Sequence, residues 1–281
     1  MKWILYLLVA LIYNFKIQAN VQDLLDQIPL EDKEDIRSIF KQFIYKDHFG
    51  YTILGDKPIS LSGHFTLTPW QNILSGDKNG GIFWKKWSTW KKYSSLFSMK
   101  HFLLIEEKSL NFPDIKFVIL INKTSFLNTL KKHKILFDKI LGFDISPQNL
   151  LEDIESGRAT LQATIQNSEI LWGVLLGYGE HNACLYERRD EICRFKGQSK
   201  LKLKYFFPSV SFQSLEEEKE YLWDKLQSFE DQDDSLSIIN SVNFAADLTH
   251  PETKLLKKKY AELKKKVIFT FSDGDILEIA L

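Results

Sequence analysis

The sequence predicts a helix-rich α+β domain that contains a small, mostly antiparallel sheet. Apolar side chains recur at helical spacing along much of the chain, as in residues 126–140. Short apolar runs such as FVILIN (residues 117–122) are typical of strands, and helical patterns separate them. Neither an internal repeat nor a long linker interrupts residues 20–281, so we expect a single domain over that range.

The N-terminus has the pattern of a secretory signal peptide. Lys2 precedes an uncharged apolar block (residues 3–13), and Ala19 provides a small residue before a cleavage point. The alternative is an N-terminal membrane anchor that is retained. We expect a signal peptide over residues 1–19 and therefore an exported protein, either periplasmic or secreted. A chain that begins near Asn20 is long enough to bury a sizeable core.

Composition argues against several classes of function. The 37 basic and 37 acidic residues balance, which does not favour a nucleic-acid-binding protein held by bulk charge. Histidines and cysteines lack the spacing of a zinc site, and there is no glycine-rich dinucleotide motif, so we expect neither a metal nor a cofactor. Cys184 and Cys193 could form a disulfide or remain two thiols. On one continuous helix they would be too far apart to pair.

Residues 48–62 (HFGYTILGDKPISLS) suggest two short strands, residues 51–53 and 59–61, on either side of a GDKP turn. Glycine, aspartate and proline favour a tight turn at this point. The turn is either the charged tip of a hairpin or part of a pocket. In the second case Asp56 and Lys57 would face a ligand as a paired carboxylate and ammonium.

Aromatic residues and lysines are interleaved over residues 83–97. On a helix the rings would share a wide face and the lysines would occupy the rest. We interpret this pattern as a core helix whose opposite face is exposed to solvent. The alternative is weak contact with a membrane surface through Trp84, Trp87 and Trp90, because aromatic rings mixed with lysines suit that interface.

Strands are expected over residues 101–106 and 117–122, followed by a helix over residues 126–140. His133 lies on the apolar stripe of that helix, and we interpret it as a core or boundary histidine. Serine followed by proline at residues 146–147 should open another helix, since proline is tolerated in the first turn.

Residues 169–189 (EILWGVLLGYGEHNACLYERR) form the stretch around which we expect the domain to be organised. The apolar spacing predicts a helix that carries Gly173 and Gly177 on one face. Glycine inside a helix costs up to about 1 kcal/mol relative to alanine, so these positions predict close approach of another backbone. Gly179 would then end or bend the helix. The apolar run is shorter than the roughly 20 residues of a membrane span, so we expect a buried helix.

The C-terminal part is predicted to contain two helices and a closing strand. Ser214 caps a helix that we expect to continue over residues 215–229. Thr249 and Glu252 have the spacing of a capping box for the last helix, whose lysines should face the solvent. Residues 276–281 are apolar enough to form a strand.

The chemistry-bearing residues do not form a complete catalytic motif. Glu180 and His181 are weak candidates for a general base, and Cys184 lies close to them in the sequence. Catalytic groups normally converge through the fold, and neighbours in sequence rarely have the required geometry. We therefore favour binding over catalysis, with a hydrolase-like enzyme as the alternative.

The segments YTILGDKP, LLGYGEHNACLYERR and NFAADLTHPETKLLKKKY resemble uncharacterised exported or hypothetical proteins of intracellular bacteria. That family has no established activity, so the resemblance implies no catalytic residue. It implies instead one shared feature built from Tyr51, Gly55, Asp56, Lys57, Pro58, Gly177, Gly179, Asn182 and Ala183.

The function that the sequence favours is therefore an exported binding or interaction protein. Its partner would be a polar ligand or another protein, held where the GDKP turn meets the LGYGEHNA segment. The predicted ligand-binding residues are Tyr51, Asp56, Lys57, Gly177, Gly179, Asn182 and Arg188. The alternatives are a hydrolase-like enzyme that uses Glu180 or His181, and a peripheral membrane protein. The binding hypothesis requires that the GDKP turn and the LGYGEHNA segment touch.

Overall fold

The structure is a computed structural model and describes residues 21–65, 79–97, 99–112, 114–194, 212–229, 239–272 and 274–281. The predicted signal peptide, residues 1–19, lies outside these ranges. The described chain is rich in helix and contains a small antiparallel sheet, which confirms the predicted α+β fold class.

Three strands form the main sheet, and all of them run antiparallel to their neighbours. They are β1 (Ile59–Phe65), β2 (Phe102–Lys108) and β3 (Ile115–Asn122), in the order β1-β3-β2. Ile119 of β3 pairs with Leu61 on one side and Ile105 on the other. Both predicted strands in this region are therefore confirmed, together with the strand predicted at residues 59–61.

A second sheet consists of β4 (Leu226–Phe229) and β5 (Phe244–Asp247), which pair antiparallel. The predicted continuation of a helix over residues 226–229 is wrong. Leu226 and Phe229 are three residues apart, a spacing that suits one face of a helix, but both are buried as ends of a strand. Pairing with β5 satisfies the backbone, and the Phe229 ring stacks on Phe244 at 4.4 Å.

The helices surround the main sheet. In chain order they are α1 (Leu30–Tyr45), α2 (Phe49–Leu54), α3 (Asn79–Tyr93), α4 (Lys123–Lys132), α5 (Lys134–Leu141), α6 (Pro147–Glu155), α7 (Leu161–Thr164), α8 (Glu169–Leu175), α9 (Glu180–Arg194), α10 (Leu215–Lys225), α11 (Pro251–Ser272) and α12 (Ile276–Ala280). None of the helices in the described ranges is long and apolar enough to span a membrane.

Strand β3 separates two apolar clusters because its side chains alternate between the faces of the sheet. Val118 and Leu120 contact a cluster supplied largely by α1, α3 and α11. Ile119 and Ile121 contact a cluster supplied by α4 to α8. The sheet is thus covered by helices on both faces.

The predicted strand at residues 51–53 is wrong, because this segment is helix α2. Its sequence has β propensity, but tertiary packing overrides that preference. Tyr51 and Thr52 are fully buried, and Gly50 packs so closely against α11 that a Cβ would lie 2.6 Å from Val267. The GDKP turn therefore joins a helix to a strand and is not the tip of a hairpin.

Two further predictions need correction. Residues 276–281 contain a helix, α12, where the sequence suggested a strand. The Asp275 carboxylate accepts a hydrogen bond from the Leu277 amide at 3.0 Å and so caps this helix. The predicted helix over residues 126–140 is divided at His133 into α4 and α5. The start predicted at residues 146–147 is confirmed by the Ser146 cap of α6.

Helix α3 carries its aromatic side chains towards the interior, as the core interpretation predicts. Phe83, Trp87 and Trp90 are buried, and the Trp87 indole donates to Glu106 at 2.7 Å. Trp84 is half-buried. Trp87 and Trp90 are therefore not available to a membrane surface in this fold.

Candidate functional site

The helix predicted to run into residues 169–179 is divided into α7 and α8, and α9 begins directly after Gly179, where the sequence predicted an end or a bend. Gln166 and Asn167 have positive φ and end the first piece, and Ser168 caps the second. At the end of α8 the Tyr178 amide donates to the Gly173 carbonyl at 2.9 Å, and Gly177 adopts φ 81°. This arrangement is a Schellman turn. The expectation that Gly177 lies inside the helix is therefore wrong.

Gly173 does mark a close approach, as predicted. A Cβ at this position would lie 2.7 Å from the Ala183 Cβ, nearer than carbon atoms can pack. Helix α9 consequently crosses α8 at van der Waals distance. The predicted role of glycine is confirmed at Gly173, while Gly177 serves the turn.

The GDKP turn and the LGYGEHNA segment touch. A Cβ on Gly177 would lie 3.5 Å from Cγ of Lys57 and would overlap the Tyr260 hydroxyl. That hydroxyl donates to the Gly177 carbonyl at 2.7 Å. Tyr51 packs edge-on against Tyr260, with ring centroids 5.9 Å apart. Three residues of the predicted site, Tyr51, Lys57 and Gly177, therefore lie close together in the interior, and Tyr260 contacts two of them, Tyr51 and Gly177.

Lys57 is buried, with only 2% of its surface exposed. Its ammonium donates to the Ile59 carbonyl at 2.5 Å and to the Ser60 hydroxyl at 3.2 Å. Burial, with a smaller contribution from the positive charge of Lys259, lowers the pKa of Lys57 to about 7. Lys57 therefore has local hydrogen-bond partners and does not face solvent.

Asp56 points the opposite way. Its side chain is 69% exposed and forms an ion pair with Lys259 at 2.6 Å. The predicted pairing of Asp56 with Lys57 in one pocket is therefore not what the structure contains. Asp56 contributes a surface ion pair, which is worth little in solvent.

Asn182 and Gly179 organise the start of α9. The Asn182 side chain donates to the Tyr178 carbonyl at 2.8 Å and accepts from the Asp247 amide at 3.0 Å. It also hydrogen-bonds the Thr253 hydroxyl, so its amide is fully engaged. Gly179 leaves room for the Glu252 carboxylate, which would lie 2.7 Å from a Cβ.

Glu252 caps a different helix from the one expected. Its carboxylate accepts from the Glu180 and His181 amides at 3.3 and 3.1 Å, at the N-terminus of α9. Thr249 instead donates to Asp247 at 2.6 Å. The predicted Thr249–Glu252 capping box on α11 is thus wrong. An acidic side chain here is favourable because the first amides of a helix lack internal partners.

Arg188 holds α9 to α10 through a buried ion pair. Its guanidinium donates to both carboxylate oxygens of Glu218, at 2.6 and 2.8 Å, and also to Glu191 at 2.8 Å. Arg188 and Glu218 are both buried. This geometry satisfies the charge of Arg188 within the protein, away from the GDKP turn where the sequence predicted it.

The two candidate general bases lie in separate environments. Glu180 lies 2.6 Å from Nδ1 of His133, which is a boundary histidine as interpreted. His181 has Nε2 3.3 Å from Asp247, and its ring stacks on His250 at 3.7 Å. Burial alone would raise the pKa of Asp247, but hydrogen bonds from Thr249 and His181 outweigh it and lower that pKa.

Both cysteines are free thiols on α9. Nine residues along a helix correspond to about 13 Å, which excludes a bridge between them. Burial, followed by nearby carboxylates, raises the pKa of Cys184 to about 12. Cys184 is therefore a poor nucleophile in the folded protein. Among the described residues there is no group of histidine, cysteine or acidic side chains suited to hold a metal.

An open cleft of about 270 Å³ lies on the other side of the LGYGEHNA segment, between α8, α9 and β5. We call it the aromatic cleft. Its principal lining residues are Trp172, Tyr178, Tyr186, Phe244, Glu169 and Asn243. Gly173, Asn182 and Ala183 also line it, so part of the predicted feature borders this opening.

The aromatic cleft is mainly apolar and has one carboxylate at its edge. Tyr178 stacks on Phe244 with ring centroids 4.4 Å apart, which makes one wall rigid. Burial, and then the negative charge of Asp190, raises the pKa of Glu169 above its ordinary value. The exposed guanidinium of Arg194 lies 3.8 Å from the Glu169 carboxylate. A half-buried acid beside aromatic rings can also accept a hydrogen bond from a ligand or pair with its cation.

Sequence reasoning missed the aromatic residues of this cleft. Trp172, Tyr178 and Tyr186 are not among the residues of the predicted site, although all three lie close in sequence to the turn at Gly177. Their clustering around that turn was the available signal. Phe244 could not be placed beside them, because its contact depends on the pairing of β4 with β5.

A second opening, of about 330 Å³, is lined by Tyr221, Lys225, Asp247 and Thr249 among others.

Comparison with known proteins adds no further assignment: no family model matches the chain, and no curated protein or solved structure matches it significantly.

Proposed function

We propose that the protein is a binding protein and that its ligand occupies the aromatic cleft. The site predicted from sequence is thereby moved from the GDKP turn to the opposite side of the LGYGEHNA segment. The ligand would be a small molecule, or a side chain of a protein partner, with an apolar or aromatic group and a positively charged donor. The apolar part would contact the rings, and the donor would reach Glu169.

The observation that supports this proposal is the cleft itself. Binding sites are concave, largely apolar, and carry a few polar groups that orient the ligand. The cleft volume of about 270 Å³ is near the lower end of the range for such sites, so the group bound is small. Tyr186 is 40% exposed at the entrance, where the Arg189 guanidinium lies 5.3 Å from the centre of its ring, and the exposed part of that ring can pack on a ligand.

The predicted polar residues support the cleft indirectly. Lys57 and Asn182 have partners within the protein and fix the turn at Gly177. Tyr178 follows directly in that turn and supplies a wall of the cleft. Their role in binding would therefore be to position Tyr178.

Benzylamine and benzyl alcohol are suitable probes, because they share one ring and differ in charge at neutral pH. We expect benzylamine to shift the indole NMR signal of Trp172 with millimolar affinity, and benzyl alcohol to bind more weakly. Tyr186→Ala should weaken binding of both probes. Phe143→Ala removes an exposed ring elsewhere and should have no effect.

The charged part of the proposal has its own test. Glu169→Gln should remove the preference for benzylamine and leave benzyl alcohol unchanged. If neither probe perturbs Trp172, the cleft is not a ligand site. If both probes bind equally before and after the Glu169 substitution, an apolar site remains and the cation preference is rejected.

A hydrolase-like enzyme is the second candidate, and the His181–Asp247 contact is the observation that favours it. A carboxylate that orients a histidine is a common arrangement for a general base. Under this alternative His181→Asn abolishes hydrolysis of p-nitrophenyl acetate, whereas Glu180→Gln has little effect because Glu180 faces His133. A parent protein that does not exceed the buffer rate rejects the alternative.

We also propose that the protein is exported, on the basis of the N-terminal pattern of Lys2 followed by an apolar block. The intact mass of the protein recovered from its native host should then correspond to a chain that begins near Asn20. A mass that includes residue 1 would favour a retained anchor or contradict export by this route.

A further inference from the structure

Helix α11 carries an exposed face that combines lysines with two large apolar side chains. Leu255 is 71% exposed and Phe269 is 79% exposed. They lie on the same side of the helix, since 14 residues are close to four helical turns, and they are about 21 Å apart. This exposed side of α11 is called the basic face below.

The basic face lies opposite the side of α11 that packs into the core. Tyr260, Val267 and Phe271 are buried on that inner side. Lys264 is buried there as well, so the prediction that the lysines of this helix face the solvent is wrong at Lys264. The exposed positions between and beside the two apolar side chains are Lys254, Lys258, Glu262, Lys265 and Lys266. Four lysines and one glutamate give this face a positive charge, although the chain as a whole is neutral.

We propose that the basic face binds an anionic lipid surface, with α11 lying parallel to that surface. Lysine ammonium groups would contact lipid headgroups, and Leu255 and Phe269 would enter the boundary between headgroups and acyl chains. Interfacial helices have this combination of a basic face and exposed apolar anchors. Each lysine near an anionic membrane contributes roughly 1 kcal/mol of attraction.

Charge complementarity alone would also permit an acidic protein or a nucleic acid. The two apolar anchors favour lipid over a nucleic acid, because a nucleic acid in water offers no apolar phase in which to bury them. Two anchors about 21 Å apart along one side of a helix also suit a flat surface better than a single pocket of an acidic protein. The membrane contact suggested by the sequence at Trp84, Trp87 and Trp90 is thus placed on a different helix. This inference is independent of the aromatic cleft.

The experiment is co-sedimentation of the full chain with two kinds of vesicle. One contains phosphatidylcholine only, and the other contains equal parts of phosphatidylcholine and phosphatidylserine. The apolar N-terminal block is identical in every variant, so the readout is the increment in binding caused by phosphatidylserine. We expect this increment to decrease when the salt concentration is raised.

Two variants test the two parts of the basic face. Lys258→Gln with Lys265→Gln should weaken binding to the anionic vesicles about 25-fold, at roughly fivefold for each lysine. Phe269→Ser should weaken it roughly tenfold, because an apolar anchor is lost. Circular dichroism should show unchanged helix content, since all three side chains are exposed.

The matched controls lie on a different basic surface. Ile135 is 85% exposed, and Lys131 and Lys132 are exposed nearby on α4. Ile135→Ser and Lys131→Gln with Lys132→Gln make the same kinds of change and should leave vesicle binding intact. Equal binding by the parent and the α11 variants overturns the proposal. A loss of vesicle binding in the control variants alone also overturns it. The proposal is overturned as well if the α11 variants keep the extra binding caused by phosphatidylserine and DNA competes it away.

Discussion

Lys57 is a buried amine, and its replacement by methionine provides the most direct test of the structure. Methionine has a similar length and no charge. In the native protein the pKa of Lys57 is lowered from 10.5 to about 7, first by burial and then by Lys259. We expect Lys57→Met to remove a pH dependence of stability that the parent protein possesses.

The sign of this dependence follows from proton binding. Between the native and unfolded pKa values of Lys57, the unfolded chain binds more protons than the folded one. The free energy of unfolding therefore rises with pH across this window, from about 7 to 10.5. The full window corresponds to on the order of 5 kcal/mol, and the part between pH 7 and pH 9 to about 2 kcal/mol.

Urea unfolding followed by tryptophan fluorescence at pH 7 and pH 9 measures the effect. The quantity of interest is the change in unfolding free energy between the two pH values, parent minus Lys57→Met. Other titrating groups cancel in this difference. So does the pH-independent cost of losing the hydrogen bonds to Ile59 and Ser60.

Lys258→Met serves as the control, because Lys258 lies on the exposed side of the same helix that carries Lys259. It should keep the full pH dependence of the parent. If the parent and Lys57→Met gain equal stability between pH 7 and pH 9, the Lys57 amine is not buried as described.

Three further predictions concern α9 and its neighbours. Arg188→Met should lower the free energy of unfolding by roughly 3–5 kcal/mol in urea titrations, because it leaves the buried Glu218 carboxylate without a partner. Adding Glu218→Met should restore most of this loss. Purely additive effects in the double variant would contradict the buried pair. Gly177→Ala should cost about 1–3 kcal/mol in the same assay, because φ is positive and a Cβ overlaps a buried hydroxyl; an unchanged unfolding midpoint would refute the turn. Maleimide should label Cys193 in the native protein and Cys184 only after unfolding, because burial raises the pKa of the Cys184 thiol to about 12. Peptide mass measures the labelling, and rapid labelling of both cysteines in the native protein would contradict this prediction.

The fold class could be predicted because it depends on local patterns. Alternation and apolar runs identified β2 and β3, and the serine cap identified the start of α6. Residues 51–53 and 276–281 were assigned wrongly because short apolar segments suit either a strand or a helix. In both cases residues distant in sequence determine the conformation: Tyr260 of α11 packs against Tyr51, and Arg37 pairs with Asp275, the cap residue of α12.

The candidate site was predicted only in part, for a related reason. Glycines and charged side chains near residues 56 and 177 indicated a site, because both kinds of residue are costly inside a fold. The structure brings these two segments together, but their polar groups are mostly bound to one another or to the backbone. Sequence alone does not reveal whether a charged side chain such as Arg188 faces a ligand or a buried partner like Glu218.

The turn at Gly177 connects the buried polar groups to the aromatic cleft. On its inner side the Gly177 carbonyl accepts from Tyr260 and the backbone lies against Lys57. On its outer side the next residue, Tyr178, stacks on Phe244 and lines the cleft. A change that alters this turn should therefore affect stability and probe binding together. Tyr186→Ala should affect binding alone, because Tyr186 lies at the cleft entrance and outside the turn.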